Sequence, residues 1–156
     1  MRHDHAPANP SRRAALSLLG LGAVAAVAGC ASTAPKAKSS ATAAPVVGSD
    51  AQVTARGVFT GKSNHVTNGH ARVVRTGGQW VIELEDDFFF DGAPDPKVAL
   101  GRDGFDANAI LSPLRTNSGR QAYALKSGLD IGQYNEIWIW CEKFSVPLGV
   151  APLTLV

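Results

Sequence analysis

From residue 51 onward, large apolar residues alternate with polar ones at a spacing of two, the signature of strands with one buried face. The alternation is sharpest in Glu136-Ile-Trp-Ile-Trp-Cys141, with Ile137 and Ile139 on one face and Trp138 and Trp140 on the other. Cys141 falls on the isoleucine face, so the sequence aims a thiol at apolar neighbours. Residues 79–85 alternate almost as well, which predicts Trp80, Ile82 and Leu84 inward and Glu83 and Glu85 outward. Residues 53–60 and 70–75 read as two earlier strands separated by a turn at Lys62-Ser-Asn-His65. Gly77-Gly78 then closes a hairpin that needs positive backbone angles. Shorter strands are predicted at 97–100, around Tyr123 and Leu125, and at 150–155, the last weakened by Pro152.

Between these strands lie turn signals. In Asp91-Gly-Ala-Pro-Asp-Pro96 the prolines disfavour helix and fix a turn. Residues 101–108 read as a Gly/Asp/Asn-rich connection, and 127–134 as a turn with one helical turn at Asp130. About seven short strands with turns between them predict an all-β fold, a small antiparallel β-sandwich or barrel. Residues 51–156 are enough to bury a core without disulfides.

The first fifty residues show none of this alternation. A polar segment carrying Arg12-Arg13 precedes an apolar run over 16–28 and then Gly29-Cys30, which reads as a signal peptide over 1–29. The apolar run is shorter than the ~20 residues a spanning helix needs. Val27-Ala-Gly-Cys30 resembles the bacterial lipoprotein box, in which Cys30 is acylated and becomes the new N-terminus. An ordinary signal with a chance cysteine is the alternative, and the small residues directly before Cys30 argue against it. Ser11-Arg-Arg-Ala-Ala-Leu16 resembles a twin-arginine export signal, although Ala15 stands where a bulky apolar residue is usual. A Sec signal that happens to hold two arginines is the other reading. Residues 30–50, rich in Ala, Ser, Thr, Pro and Lys, are expected to be a lipidated N-terminus and disordered tether. Such a tether reaches on the order of 25 Å. The expected location is the cell envelope, outside the cytoplasm and anchored to the membrane by the N-terminal lipid. Ala31, not aspartate, follows Cys30, which by resemblance to lipoprotein sorting signals favours the outer membrane in a cell that has one.

Charge then removes one class of function. The formal charge of +2 draws on Arg2, Arg12 and Arg13 against a single acid, Asp4, ahead of Cys30. Of 15 basic residues, loss of these three leaves 12, and of 13 acidic residues, loss of one leaves 12. The mature chain is neutral, and the basic balance supports no nucleic-acid partner.

Cys141 is the one thiol after Cys30, so it has no disulfide partner within the folded part. Two readings stay open for it. A buried free cysteine packs as a small hydrophobe, whereas exported chains normally pair or avoid their thiols. Lys143 would share the face of Cys141 if the strand continued, with its charged end seeking solvent. His65 and His70 are the histidines beyond the leader, and Met1 is the chain's only methionine. If a haem or metal is held, Cys141 with His65 or His70 is therefore the available set. The alternative places both histidines in solvent, and their spacing matches no recurring metal pattern. With no Cys-x-x-Cys-His, covalent c-type haem attachment is ruled out. Glu83, Glu85, Asp86, Asp87, Asp91 and Asp95 do not follow a calcium-loop spacing and read as solvated strand edge and turn caps. Trp138 and Trp140 read as packing residues, with a docking surface as the alternative. No Ser-His-Asp set, phosphate loop or nucleotide fingerprint occurs, so no acid–base or nucleophile pair of an enzyme can be assembled.

Several motifs recur in one order: Gly57-x-Phe59, His65 followed by Gly69, and Phe88 with Gly92-Ala-Pro-Asp95 running into Val98 and Leu100. Gly119-x-Gln121-x-Tyr123-x-Leu125 follows, then Ile139-Trp-Cys-x-x-Phe144 with Gly149-x-Ala151-x-Leu153. In this order and spacing the chain resembles the electron-transfer DM thirteen domain family, found beside DOMON domains in cell-surface proteins and alone in bacterial lipoproteins. Val98-Ala-Leu100 departs from it where an aromatic residue is common. The resemblance implies an exported β-rich domain whose hallmark cysteine, here Cys141, serves redox chemistry. Cys141 would act as a bare thiol or as a ligand to a prosthetic group such as haem; no cofactor at all is an equal expectation. The reading is a lipid-anchored, extracytoplasmic electron-transfer or thiol-redox module centred on Cys141, serving an unknown redox or envelope protein partner. The alternative is a non-enzymatic β-sandwich module that binds a protein or ligand through loops around Trp138 and residues 92–96.

Overall fold

The structure is a computed structural model that describes residues 44–156. The expected signal peptide over 1–29, with its twin-arginine or Sec character, the expected acylation at Cys30 and most of the expected tether over 30–50 fall outside the described residues. Among the described residues there are eleven strands, all paired antiparallel, and one short 3₁₀ turn. The strands are β1 (Gln52–Val58), β2 (Thr60–Gly61), β3 (Thr67–Asn68), β4 (His70–Thr76), β5 (Gln79–Leu84), β6 (Phe89–Phe90), β7 (Pro96–Gly101), β8 (Phe105–Pro113), β9 (Gln121–Ala124), β10 (Glu136–Cys141) and β11 (Val146–Leu155). The main sheet runs β8-β7-β10-β11-β1-β4-β5-β9, with β2 added to β11, while β3 and β6 form a small ladder of their own. Its edge strands β8 and β9 approach each other, so the sheet curls into a nearly closed barrel. Among the described residues no helix is long and apolar enough to cross a membrane.

The turns form for reasons visible in their residues. Ser63 and Asn64 take positive φ angles of 51° and 63°, and the His65 N–H donates to the Lys62 carbonyl at 2.9 Å. Gly77 and Gly78, with φ of 54° and 78°, turn β4 into β5 as a two-residue hairpin requires. The inward faces then meet. Ile137, Ile139 and Cys141 of β10, Val98 and Leu100 of β7, and Ile82 and Leu84 of β5 share one core with Phe59, Phe88 and Tyr123. Phe59 and Phe88 pack edge to face with centroids 5.3 Å apart, a geometry that suits the ring quadrupoles.

Three expectations are corrected. Residues 101–108 are not simply a connection, because β8 begins at Phe105 and runs to Pro113. This edge strand buries Ala109 and Leu111, but two register shifts against β7 break its alternation and hide it from a period-2 reading. The last strand begins at Val146 rather than near 150; Pro147 pairs with Trp140, and a register shift between Ile139 and Trp140 leaves Leu148 as the extra residue. Glu83 does not face solvent: it is 2% exposed. The outer face of β4, β5 and β9 carries Val74, Val81 and Ala122, which pack against Val47, Ala51 and Val53. The chain just before β1 thus covers a face that simple alternation assigns to water. The expected helical turn is present as Ile131–Gln133, capped by Asp130 Oδ1 accepting from the Gly132 N–H at 3.0 Å.

Candidate functional site

Cys141 is the last residue of β10, opposite Pro96 on one side and Val146 on the other. The pleat that turns Ile137 and Ile139 inward turns the sulfur inward as well, and the residue is 1% exposed. Leu148 and Val98, both fully buried, belong to the same core. Immediately after Cys141 the chain leaves the barrel, and residues 142–145 form an exposed turn. That end of the strand is pinned by polar contacts: the Glu142 N–H donates to the Asp95 carbonyl at 3.0 Å. Lys97 Nζ bridges Asp95 at 2.8 Å and Glu142 at 3.1 Å. Lys143 lies past the end of β10, exposed, with its ammonium 5.4 Å from the Phe144 ring centroid. The position it would occupy on an extended β10, next to the thiol's face, is not realised.

Trp138 and Trp140 neighbour the cysteine in sequence, but the pleat puts their side chains on the opposite, outer face of the barrel. Trp140 stacks on Phe105 of β8 at a centroid distance of 3.9 Å, nearly parallel. The Trp138 indole N–H donates to Glu136 Oε2 at 3.0 Å. Both rings stay half-buried. They pack across the outer face of β7, β8 and β10 rather than around the sulfur.

The two histidines are occupied elsewhere. His65 closes the turn before β3, and its Nδ1 lies 2.8 Å from Asp91 Oδ1; its ring rests 5.7 Å from that of Phe90. His70 opens β4 with Nδ1 2.5 Å from Asp87 Oδ2, while its backbone N–H donates to Asp87 Oδ1. The hydrogen bond that the ring donates to Asp87, reinforced by the charge of that carboxylate, raises the His70 pKa above the ordinary 6.5. Asp87 is lowered in return, first by the His70 N–H and then by the imidazole. Asp91 is lowered by the Val66 N–H and then by His65.

A haem held by Cys141 and one of these imidazoles needs both ligands to face one open slot. The sulfur instead points into a core whose members are almost entirely shielded, and the imidazoles hydrogen-bond aspartates at the surface. The described residues therefore do not fit that group. Among them, His70, Glu85 and Asp87 bring three ligand atoms within 4.8 Å of one another. Their charges are already matched, since Asp87 takes His70 and Glu85 takes Arg56 at 3.1 Å.

Two features escape sequence reasoning. The first is the buried carboxylate of Glu83, held by Arg72 Nε at 2.6 Å and Arg120 Nη1 at 2.5 Å, with Arg120 also reaching Asp86 at 2.7 Å. The second is an apolar cavity at the other end of the barrel, to which the inward position of Trp80 is the only pointer in the sequence. Much of the motif pattern is structural. A Cβ on Gly57 would come within 2.7 Å of the Pro152 carbonyl oxygen. Gln121 is buried, donating to the Thr116 carbonyl and accepting from the Thr116 N–H, and its Oε1 accepts the Tyr123 hydroxyl.

Against models of known families, the one described as Electron transfer DM13 matches residues 58–153. No curated protein and no solved structure matches the chain.

Proposed function

The chain belongs to the electron-transfer DM13 family, and from that premise we propose a lipid-anchored module outside the cytoplasm whose redox group is the Cys141 thiol. One observation carries the reading: the only free cysteine among the described residues sits shielded in the core, one residue from an exposed turn. Shielding protects the sulfur from irreversible oxidation, which follows thiolate character and exposure. The exposed turn beside it supplies the way out. Fraying the terminal pair of Cys141 and Val146 uncovers the sulfur without unfolding the barrel, as local openings do. The opened thiol loses its proton, and the thiolate attacks the disulfide of an oxidised envelope partner. A new S–S bond forms, the partner's S–S bond breaks, and the departing thiolate takes up a proton. Cys141 is thereby oxidised and the partner half reduced. A second thiolate then attacks the partner's sulfur of this mixed disulfide, forms a new S–S bond to it, and Cys141 leaves as a thiolate that takes up a proton. Acylated Cys30 and the tether would hold the module at the membrane, the outer one where a cell has two.

Thiol kinetics test the reading. The natively exported protein is expected to be colourless and to react with an aromatic disulfide reagent at a rate that levels off as reagent rises. In denaturant the reaction is immediate. A haem-type absorption band, or a thiol inert until global unfolding, overturns the proposal. Palmitate labelling that vanishes in Cys30→Ala checks the anchor.

The non-enzymatic binding module keeps one specific support, the half-buried Trp140–Phe105 stack on the outer face. It is separated from the first reading by Cys141→Ser, which would retain an envelope partner under the binding reading and lose it under the redox one.

A further inference from the structure

The barrel is not filled evenly along its length. Cys141 ends β10 on one side, while Asn135, just before the other end of β10, borders a cavity of about 610 Å³. Six residues of strand put the two about 20 Å apart. The cavity lies among β1, β4, β5 and the end of β11, and the 3₁₀ turn Ile131–Gln133 forms part of its wall. Val73 lines it from the fully buried core, whereas Trp80, Ile131, Tyr134 and Leu153 pack on that core and remain only partly buried. Apolar and aromatic surface is thus left open where a fully closed barrel would hide it. Volumes of a few hundred Å³, mostly apolar walls and a few fixed polar groups characterise small-molecule sites, and barrel mouths are a common place for them.

The polar groups at the cavity narrow the chemistry. Arg102 donates from Nε to the Gln133 carbonyl and from Nη2 to the Gly132 carbonyl at 3.0 Å, which ties its guanidinium to the 3₁₀ turn. Its Nη1 has no hydrogen bond among the described residues and can donate to a ligand. Asp130 also lines the cavity, its Oδ1 accepting from the Gly132 N–H, so one acid and one base leave the lining without net charge. An anion would find no surplus cation to offset its desolvation, where a neutral acceptor oxygen needs none. Flat aromatic walls favour a flat ring.

We propose that this cavity binds a small, neutral ring compound of the quinone class, its ring against Trp80 and Tyr134 and a carbonyl oxygen on Arg102. The choice of a redox-active ring rests on the electron-transfer reading; the binding itself does not need Cys141.

The probe is 2,3-dimethyl-1,4-naphthoquinone, whose quinone ring has no free position for thiol addition, titrated into the folded protein while tryptophan fluorescence is followed. Saturable quenching is expected, unchanged in Cys141→Ser and lost in Trp80→Phe. Affinity should fall about tenfold or more in Leu153→Trp, which fills the cavity. Ile131→Trp fills it from the 3₁₀ turn and serves if the first variant fails to fold. The same bicyclic ring without carbonyls should bind about tenfold more weakly and a fatty-acid anion weaker still. Absence of saturable quenching, or affinity untouched by a folded cavity-filling variant, overturns the proposal. Tighter binding of the fatty acid than of the quinone overturns the ligand class. Loss of quinone binding leaves the thiol kinetics of Cys141 as they were, and an inert Cys141 leaves quinone binding as it was, so the two readings fail separately.

Discussion

A single histidine shows how surface chemistry in this protein is tied to shape. His70 joins Asp87 through both its backbone and its ring, fixing the start of β4 against the turn after β5. With its folded pKa above 6.5, His70 contributes stability that is complete below 6.5 and is lost as pH rises through the raised value. Asp87, lowered from 3.8, contributes above that value and loses its share as pH falls through the depressed one. The pair therefore works best between the two ordinary values. A proton NMR titration should place the His70 midpoint above 6.5 in the native protein. In Asp87→Asn the midpoint should move back down, and the loss of stability on going from mildly acidic to mildly alkaline pH should shrink.

Strands in this fold are held by more than their inward faces. β5 buries Ile82 and Leu84 on one side and Val81 and Glu83 on the other, so it behaves as a central strand covered on both faces. Glu83 is bridged by Arg72 on β4 and by Arg120, just before β9, which ties together three neighbours of the sheet. Breaking a buried pair from one side leaves a charge without compensation. Arg72→Met should therefore cost about 3 kcal/mol, somewhat less in so far as the half-exposed Arg120 compensates, read as a lower urea midpoint with an unchanged slope. Replacing Glu83 and Arg72 together by apolar residues should recover much of the loss. Sequence alternation locates β4, β5 and β10 because apolar residues recur in them at a spacing of two, and β7 and β9 are found as short apolar runs between turn signals. It passes over β8, whose register shifts interrupt the period, and over β2, β3 and β6, which are two residues long. It places Glu83 in water because the covering segment before β1 carries only Val47 and Ala51 as apolar contacts, too few to mark it as a layer.

At the scale of the molecule, the two proposed sites lie at opposite ends of the barrel, the thiol at one and the cavity at the other. The thiol was legible, since the inward direction of Cys141 follows from Ile137 and Ile139 alone. The loose grouping of Cys141 with His65 and His70 was not, because which loop lies over which strand end is decided by closure of the sheet. The cavity was illegible for the same reason: Trp80, Arg102, Tyr134 and Leu153 come from four separate segments. The account stands or falls on whether Cys141 exchanges electrons while the barrel is folded. The direct measurement equilibrates the native protein across glutathione buffers of graded potential and quantifies oxidised Cys141 by mass spectrometry. The predicted result is a reversible mixed disulfide at Cys141, with a midpoint between roughly −320 and −180 mV and circular dichroism unchanged throughout. A sulfur that stays reduced across the whole series, or is oxidised only as the barrel unfolds, would contradict it.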